Sequence, residues 1–225
     1  KRALPKSLGL LAVSLLIAVP LGILLGIGAA VRRHSRLSGL VIFASTFGIS
    51  TPSFFAAMLL VWLMVWLYQS TGKHLLPIAG FGWDTHVILP ALVLAARPAA
   101  AVTRLSYNAL LDILDAEYVR TATSKGLSRN TVLVRHVLRN AGVPILTTAI
   151  VSLRYSLAIL PIVEVIFSWP GIGAALLTAI QAQDVSAAIG LILPLALFFV
   201  LVNIGADILY KRLDPRLRDS KVGVA

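Results

Sequence analysis

Long apolar runs with few charged residues dominate the chain. Because about 20 residues of helix cross the roughly 30 Å hydrocarbon core of a bilayer, each run of this length predicts a transmembrane helix. The predicted spans are Leu8–Val31, Leu37–Gln69, His86–Val102, Val143–Phe167 and Ala187–Tyr210, and the third is expected to merge at its end with the helix that carries Arg104. The pattern predicts an all-α protein, a polytopic bundle of transmembrane helices in which residues 1–225 form a single domain.

The second apolar run is longer than one upright helix needs. Residues 37–69 would reach about 50 Å as a straight helix. Pro52 lies inside this run, and proline removes a backbone hydrogen bond and clashes with the preceding turn, so we expect a break or kink there. A broken helix at membrane depth needs protein or water around it. The break either only accommodates the extra length or lines a watery path, and the sequence leaves both interpretations open.

A long polar stretch separates the third and fourth predicted spans. Tyr118, Val119 and Ala122 stand at helical spacing among polar neighbours, which predicts a short helix with an apolar stripe. Gly126 fits the position after a helix C-terminus, where left-handed backbone favours glycine. Ser128 suits the N-cap of a second helix. We therefore expect two short helices joined at a glycine and lying beside the membrane; a solvated loop is the alternative.

Lysine and arginine are distributed unevenly between the two predicted sides of the membrane. Fourteen lie on one side and four on the other. The richer side comprises residues 31–36, 104–140 and 211–225, and the poorer side comprises 1–7, 70–86 and 168–186. Because loops rich in Lys and Arg stay in the cytoplasm, the central loop and the C-terminus are predicted to be cytoplasmic, with external loops at 70–86 and 168–186.

The composition supports a membrane protein rather than a soluble or nucleic-acid-binding one. The chain is 58% hydrophobic and only 13% charged, unlike a soluble globular domain. The net charge of +11 follows from the topology, so no nucleic acid is expected as a partner. The three basic residues in segment 1–7 lie on the external side against the rule. We expect a further helix upstream that fixes the orientation, giving six spans in the full protein.

The polar stretch also carries a resemblance to a known family. Arg120-Thr-Ala-Thr-Ser-Lys-Gly-Leu-Ser, with Arg135-His-Val-Leu-Arg-Asn downstream, resembles the cytoplasmic EAA loop of binding-protein-dependent ABC importers. The family's leading Glu-Ala-Ala aligns with Arg120, Thr121 and Ala122. Arg120 and Thr121 thus replace the family's Glu and first Ala. These substitutions are closer to the B-type permease of the dipeptide, oligopeptide and nickel group than to the sugar or amino-acid branches.

Two further segments are similar to parts of the same permeases. Glu164-Val-Ile-Phe-Ser-Trp-Pro-Gly-Ile-Gly resembles the family's external segment before the last helix, and Asp214-Pro-Arg-Leu-Arg resembles its closing motif. The resemblance implies the type I ABC importer permease fold, with residues 112–140 as a cytoplasmic coupling loop. In the family this loop docks into a groove on the ATP-hydrolysing subunit.

The resemblance also implies the contact residues and the partners. The residues expected to contact the ATPase are Glu117, Tyr118, Arg120, Thr121, Ala122, Lys125, Gly126 and Leu127. The implied partners are a second permease of the C-type in a heterodimer, two ATP-binding subunits or one fused ATPase, and an extracytoplasmic substrate-binding protein. The implied location is the lipid bilayer of a bacterial inner membrane, which the chain crosses several times.

The sequence carries no motif for chemistry of its own. No Gly-x-x-x-x-Gly-Lys-Ser/Thr occurs, so ATP and Mg are expected on partner subunits. The four histidines are scattered, and none stands at ligand spacing from a carboxylate or another histidine. We expect no cofactor, no metal site and no catalytic residue in this chain, which is predicted to be a transport subunit rather than an enzyme.

Charged residues inside the predicted spans are costly unless they are paired or hydrated. Arg97 and Arg154 lie in the middle of the third and fourth spans, while Glu164 and Asp207 lie nearer helix ends. Ion pairs or hydrogen bonds to carbonyl groups would satisfy them. The alternative is that Arg97 or Arg154, together with Pro52, lines the translocation path and attracts a peptide carboxylate.

The predicted function is the transmembrane permease subunit of an ATP-driven importer for short peptides, coupled to a separate ATPase through the cytoplasmic loop. An ion-driven secondary transporter or channel is an alternative, but it would need acids in mid-span relays, which are scarce here. A purely structural membrane scaffold is a third possibility. Within the importer class, nickel, glutathione and haem are alternative substrates.

Overall fold

The computed structural model of the protein describes residues 3–128, 131, 132, 134, 137 and 139–213. The helices are α1 Ala3–Val31, α2 Arg36–Ser50, α3 Ser53–Thr71, α4 Ile88–Leu114, α5 Glu117–Ser124, α6 Arg139–Ile166, α7 Ile172–Gln181 and α8 Val185–Leu213. A 3-10 turn, Thr85–Val87, leads into α4. The described residues contain no strand, and α1, α3, α4, α6 and α8 are long and apolar enough to cross a membrane. The all-α prediction with five spans is confirmed.

The second predicted span is two helices rather than one. α2 ends at Ser50, and Thr51 and Pro52 adopt extended backbone with ψ of 126° and 133° before α3 begins. The break expected at Pro52 is confirmed. α2 has 15 residues and reaches only about 22 Å, so α3 alone has the length to span in this region.

The third predicted span merges as expected with the helix that carries Arg104, because α4 continues from Val102 to Leu114. The first residues of the predicted coupling loop, from Asp112, therefore belong to the last turn of α4. Val102, Ser106 and Leu110 are all buried at four-residue spacing. An amphipathic stripe thus carries the helix past the end of the uniformly apolar run, which hydropathy alone does not register.

Two glycines bring α1 and α4 into close contact. A Cβ added at Gly22 would lie 2.7 Å from the carbonyl oxygen of Ala99, and one added at Gly26 would lie 2.7 Å from that of Thr103. Both distances are far shorter than ordinary contact, so the two backbones can approach only because these positions lack side chains. The small-residue face of α1 therefore contacts α4 of the same chain. α4 also packs against α2 and α6 and lies at the centre of the bundle.

The segments that the charge distribution separates lie at opposite ends of the bundle. At one end, the indole Nε1–H of Trp169 donates to the carbonyl of Lys6 at 3.2 Å. The Gly80 N–H donates to the carbonyl of Phe167 at 2.9 Å. These bonds join the start of α1, the α3–α4 connection and the α6–α7 turn. The α1–α2 turn and α5 lie at the other end.

Glu164 is fully buried, and hydrogen bonds satisfy it as a structural group. Its Oε1 accepts from the Ser7 hydroxyl, and its Oε2 accepts from the Ala174 N–H at 2.9 Å. The Ser7 oxygen accepts in turn from the Ile172 N–H at 2.8 Å. Glu164 and Ser7 thus satisfy amides in the first turn of α7, which otherwise have no partner within the helix. A Cβ at Gly171 would overlap this carboxylate, so a larger residue there would force the buried, hydrogen-bonded Glu164 side chain to move.

Three features of the predicted family motifs lie outside the described residues. They are the closing motif from Asp214, the side chain of Asp207, and Arg135 with His136 in the downstream part of the polar stretch.

Candidate coupling element and translocation cavity

The start of α5 is tied to two other parts of the bundle. Only Asp115 and Ala116 separate α5 from α4, and the Val119 and Arg120 amides donate to the Ala116 carbonyl at 3.0 and 3.3 Å. Nη1 of Arg33, in the α1–α2 turn, lies 2.9 and 3.0 Å from the two carboxylate oxygens of Asp115. This pair is partly exposed, so it contributes to orientation more than to stability. α5 is held by α4 on one side and by the α1–α2 turn on the other.

One face of α5 anchors it to the bundle. Val119 and Ala122 are 5% and 6% exposed and belong to a buried cluster that includes Ala30 of α1 and Leu110 of α4. Ala122, which the family alignment places among the ATPase contacts, is therefore part of the anchor in this structure. Tyr118 does not follow the predicted apolar stripe, because 44% of it is exposed.

The opposite face of α5 and the turn after it are exposed. This surface, which we call the α5 surface, contains every other residue predicted to contact the ATPase: Glu117, Tyr118, Arg120, Thr121, Lys125, Gly126 and Leu127. It carries charges of both signs beside an aromatic and an aliphatic side chain, a mixture suited to contact with another protein. The structure thus gathers these seven residues on one accessible surface.

The junction after α5 has the geometry that the sequence predicts. Gly126 has a φ of +79°, in the left-handed region. The Leu127 N–H donates to the Ala122 carbonyl at 3.4 Å, which closes the helix end in the manner of a Schellman motif. Ser128 Oγ then accepts from the Thr131 N–H at 3.3 Å, as an N-cap does. The predicted helix, glycine and N-cap are confirmed.

A cavity of about 240 Å³ opens between α2, α4 and α6. Its lining residues are Ile49, Arg97, Pro98, Ala101, Leu105, Thr148, Val151, Ser152 and Tyr155. The walls are mainly apolar, with a few polar groups that converge on the space, as is usual for a small-molecule site. A smaller pocket beside it is lined by Ser53, the first residue of α3, and by Arg97 and Tyr155.

Arg97 is the cation of this cavity. Its guanidinium carbon lies 4.9 Å from the ring centroid of Tyr155, within range of a cation–π contact. Among the residues that the structure describes, no carboxylate lies within ion-pair distance of Arg97. The contact with Tyr155 orients the guanidinium without neutralising its charge, so Arg97 remains able to attract an anionic group.

The other two residues predicted for the path do not line this cavity. Pro52 is exposed at the α2–α3 break, one residue before Ser53, and Arg154 is half-buried on α6 outside the lining set. Three further lining residues, Thr148, Ser152 and Tyr155, are not among the residues predicted from the sequence. They form a polar stripe at helical spacing along an otherwise apolar helix, a signal that could have identified them.

This combination of a membrane bundle, a short helix with an exposed surface and a cavity between helices agrees with one protein family. A family model described as "Binding-protein-dependent transport system inner membrane component" matches residues 22–219. The chain belongs to this family. The predicted resemblance to an ABC importer permease is therefore confirmed, and the protein is a membrane transport subunit.

Two relatives show how much of the chain is shared. The permease is 35% identical over 234 residues to the dipeptide transport system permease protein of Escherichia coli strain K12, covering 92% of this chain and 69% of that one. It is 37% identical over 221 residues to a putative peptide transport system permease protein of Brucella abortus strain 2308, covering 96% and 69%.

A solved structure supports the fold independently. The crystal structure of an amino acid ABC transporter with histidines matches with a TM-score of 0.62 at 15% identity, covering 93% of this chain and 92% of the other. At 15% identity, the match is evidence for a shared fold and not for a shared substrate. The predicted ABC importer permease fold is confirmed.

Proposed function

We propose that this permease forms the path by which short peptides cross a bacterial inner membrane, and that the α5 surface couples it to a separate ATPase. The substrate class is supported by the two relatives, whose names describe dipeptide and peptide transport. The bias of Lys and Arg supports an orientation with α5 and the C-terminus in the cytoplasm. The opposite end then faces the substrate-binding protein.

The observation that carries this proposal is that α4 connects the Arg97 cavity with α5. Arg97 lies in the cavity, and the same helix ends at Leu114, next to α5. The 17 steps from Arg97 to Leu114 correspond to about 26 Å of helix. Because packed helices move as units, a displacement of α5 shifts the cavity wall that α4 provides.

The mechanism follows from these contacts. Closure of two ATP-binding subunits, or of one fused ATPase, presses on the α5 surface, while the partner holds ATP and Mg. α5 cannot slide freely, since Val119 and Ala122 anchor it and Asp115 is paired with Arg33. The movement therefore passes into α4 and changes the opening between α2, α4 and α6. A C-type permease supplies the other half of the path.

A substitution at Gly126 tests the coupling. Apart from its chain neighbours, no atom lies within 4 Å of a Cβ built there, so the strain of a side chain comes from the left-handed backbone, which Asp and Asn tolerate better than most residues. We expect Gly126→Asp to insert normally but to lose most of the co-purifying ATPase and the substrate-stimulated ATP hydrolysis. Gly126→Asn is the matched control, because Asn tolerates the left-handed backbone and adds no charge. Normal ATPase binding and stimulation in Gly126→Asp would contradict the proposal.

A substitution at Arg97 tests the path. If Arg97 attracts a peptide carboxylate, Arg97→Gln should reduce uptake of a dipeptide with a free C-terminus about tenfold or more, the size expected for a charge-assisted hydrogen bond. Uptake of the same dipeptide with an amidated C-terminus should change little. Arg154→Gln is the control, because that arginine lies on a lining helix but outside the cavity. Equal losses for both peptides would exclude Arg97 as the carboxylate site.

Identification of the cargo is a separate measurement. Mass spectrometry of the compound retained by the complex's own binding protein should show short peptides. Nickel, glutathione or haem in its place would overturn the peptide assignment and leave the coupling proposal to be tested by Gly126→Asp.

A further inference from the structure

A second, basic cavity lies where α1 turns into α2, and it shares no lining residue with the cavity that contains Arg97. Its volume is about 410 Å³. The side chains that give it its character are Arg33, His34, Arg36, Ile42 and Tyr107. Arg33 and His34 lie in the turn between α1 and α2, and Arg36 is the first residue of α2. The charges of the two arginines are therefore concentrated in a small volume.

One of the two arginine charges is not neutralised within the described part of the chain. Arg33 is paired with Asp115. Arg36 is exposed, and no described carboxylate lies within ion-pair distance of it. His34 is also exposed, and its Nε2 lies 3.3 Å from Nε of Arg33. The cavity therefore combines one cation held in place by Asp115 with a second cation open to an external anion.

The position of the cavity places it at the edge of the bilayer. α1 is long and apolar enough to cross a membrane and ends at Val31, one residue before the basic turn. On α2, Leu37, Leu40 and Phe43 follow at three-residue spacing and are 61, 62 and 71% exposed. Three-residue spacing puts these side chains along one side of the helix. An apolar surface thus runs directly from the basic cavity toward the hydrocarbon.

We propose that this cavity binds the phosphate of an anionic phospholipid, whose acyl chains lie along Leu37, Leu40 and Phe43. Charge complementarity selects the headgroup, because basic residues near a membrane surface attract anionic lipid. A zwitterionic headgroup brings its own ammonium and satisfies the surplus cation less well. The adjoining apolar surface selects a lipid over a soluble anion. This proposal requires that α1 crosses the membrane, and it does not depend on which compound is transported or on the ATPase.

The lipid would also bear on coupling, since Arg33 belongs both to this cavity and to the ion pair that holds the start of α5. A phosphate beside Arg33 and Arg36 would hold the α1–α2 turn in place and thereby keep Arg33 oriented toward Asp115. The site is therefore expected to stabilise the attachment of α5 as well as to retain lipid.

The test uses the intact transporter complex in nanodiscs of mixed phosphatidylglycerol and phosphatidylcholine, with bound lipid measured by native mass spectrometry after detergent exchange. Arg36→Gln should lower the retained ratio of phosphatidylglycerol to phosphatidylcholine about fivefold, as expected for one basic residue near a membrane surface. The matched control is Arg32→Gln, an exposed arginine of the same turn that does not line the cavity. Its ratio should change less than twofold.

Three outcomes would overturn the proposal. An unchanged ratio in Arg36→Gln, or an equal fall in Arg32→Gln, would mean that the cavity makes no specific contribution. Displacement of the retained lipid by millimolar glycerol phosphate would identify a site for soluble phosphate. Loss of the ATPase from Arg36→Gln with lipid retention intact would identify the turn as a protein contact instead.

Discussion

The close contact of α1 with α4 makes Gly26→Ala a sensitive test of the fold. A Cβ at this position would lie 2.7 Å from the Thr103 carbonyl oxygen and 2.6 Å from the Cβ of Ser106. Ordinary contact begins at 3.4 Å, so the two helices must separate by about 0.8 Å at this point. The obstacle is backbone and a Cβ, and neither can rotate away.

The expected cost comes from that separation. Inserting a methyl group into a closely packed interior usually costs about 1 to 3 kcal/mol. Part of this reflects contacts along α1 and α4 that lose between a quarter and a half of their attraction when a gap of 0.5 to 1 Å opens. Gly to Ala also raises helix propensity by up to about 1 kcal/mol. A control in the same helix is needed to remove that term.

Gly28 provides the control, because it lies two residues further along α1 and no atom is within 4 Å of a Cβ built there. Unfolding of the purified permease in a titration of sodium dodecyl sulfate, followed by circular dichroism, measures both variants. We expect Gly26→Ala to be about 1 to 3 kcal/mol less stable than Gly28→Ala. Equal unfolding midpoints would refute the packing of α1 on α4 through this glycine.

Two further predictions concern the end of the bundle opposite α5. Gly171→Ala would make a Cβ overlap the Glu164 carboxylate and should destabilise the permease by about 2 to 4 kcal/mol, whereas Gly190→Ala, in open space within α8, should be neutral or stabilise by up to about 1 kcal/mol; equal thermal midpoints would contradict this. Hydrogen bonds from the backbone N–H of His86, and secondly from its ring, hold the pKa of Asp84 below its ordinary value. The contact between Asp84 and His86 should therefore persist at neutral pH and be lost only as the pH falls through that lowered pKa. Carbon NMR of labelled aspartate measures this, and a midpoint at or above the ordinary value would exclude the contact.

The charge and glycine patterns predicted local features well because their causes are local. The left-handed backbone at Gly126 needs only the absence of a Cβ, and the cap at Ser128 needs only a hydroxyl three residues before an amide. The break at Pro52 needs only the missing N–H of proline. In each case the decisive atoms lie within a few residues of one another along the chain.

The site was predicted less completely because its parts come from distant segments. The cost of a charge in a membrane applies equally to Arg97 and Arg154, so the sequence does not show which of them lines the cavity. Ala122 stands both in the predicted apolar stripe and among the predicted ATPase contacts, and the sequence does not decide between the two. The packing partners that decide these points, such as Tyr155 for Arg97 and Leu110 for Ala122, lie elsewhere in the chain.

The amino-acid sequence by itself determined the membrane class, the number of long helices, the grouping of segments by charge and the position of the glycine junction. Hydrophobic length, charge bias and backbone sterics are properties of short stretches, so they can be read without knowing what packs against them. Only the tertiary structure decided which face of α1 meets α4, which arginine enters the cavity and how Glu164 is satisfied. Those outcomes depend on distances between residues far apart in the chain, such as Ser7 and Glu164, and folding alone fixes such distances.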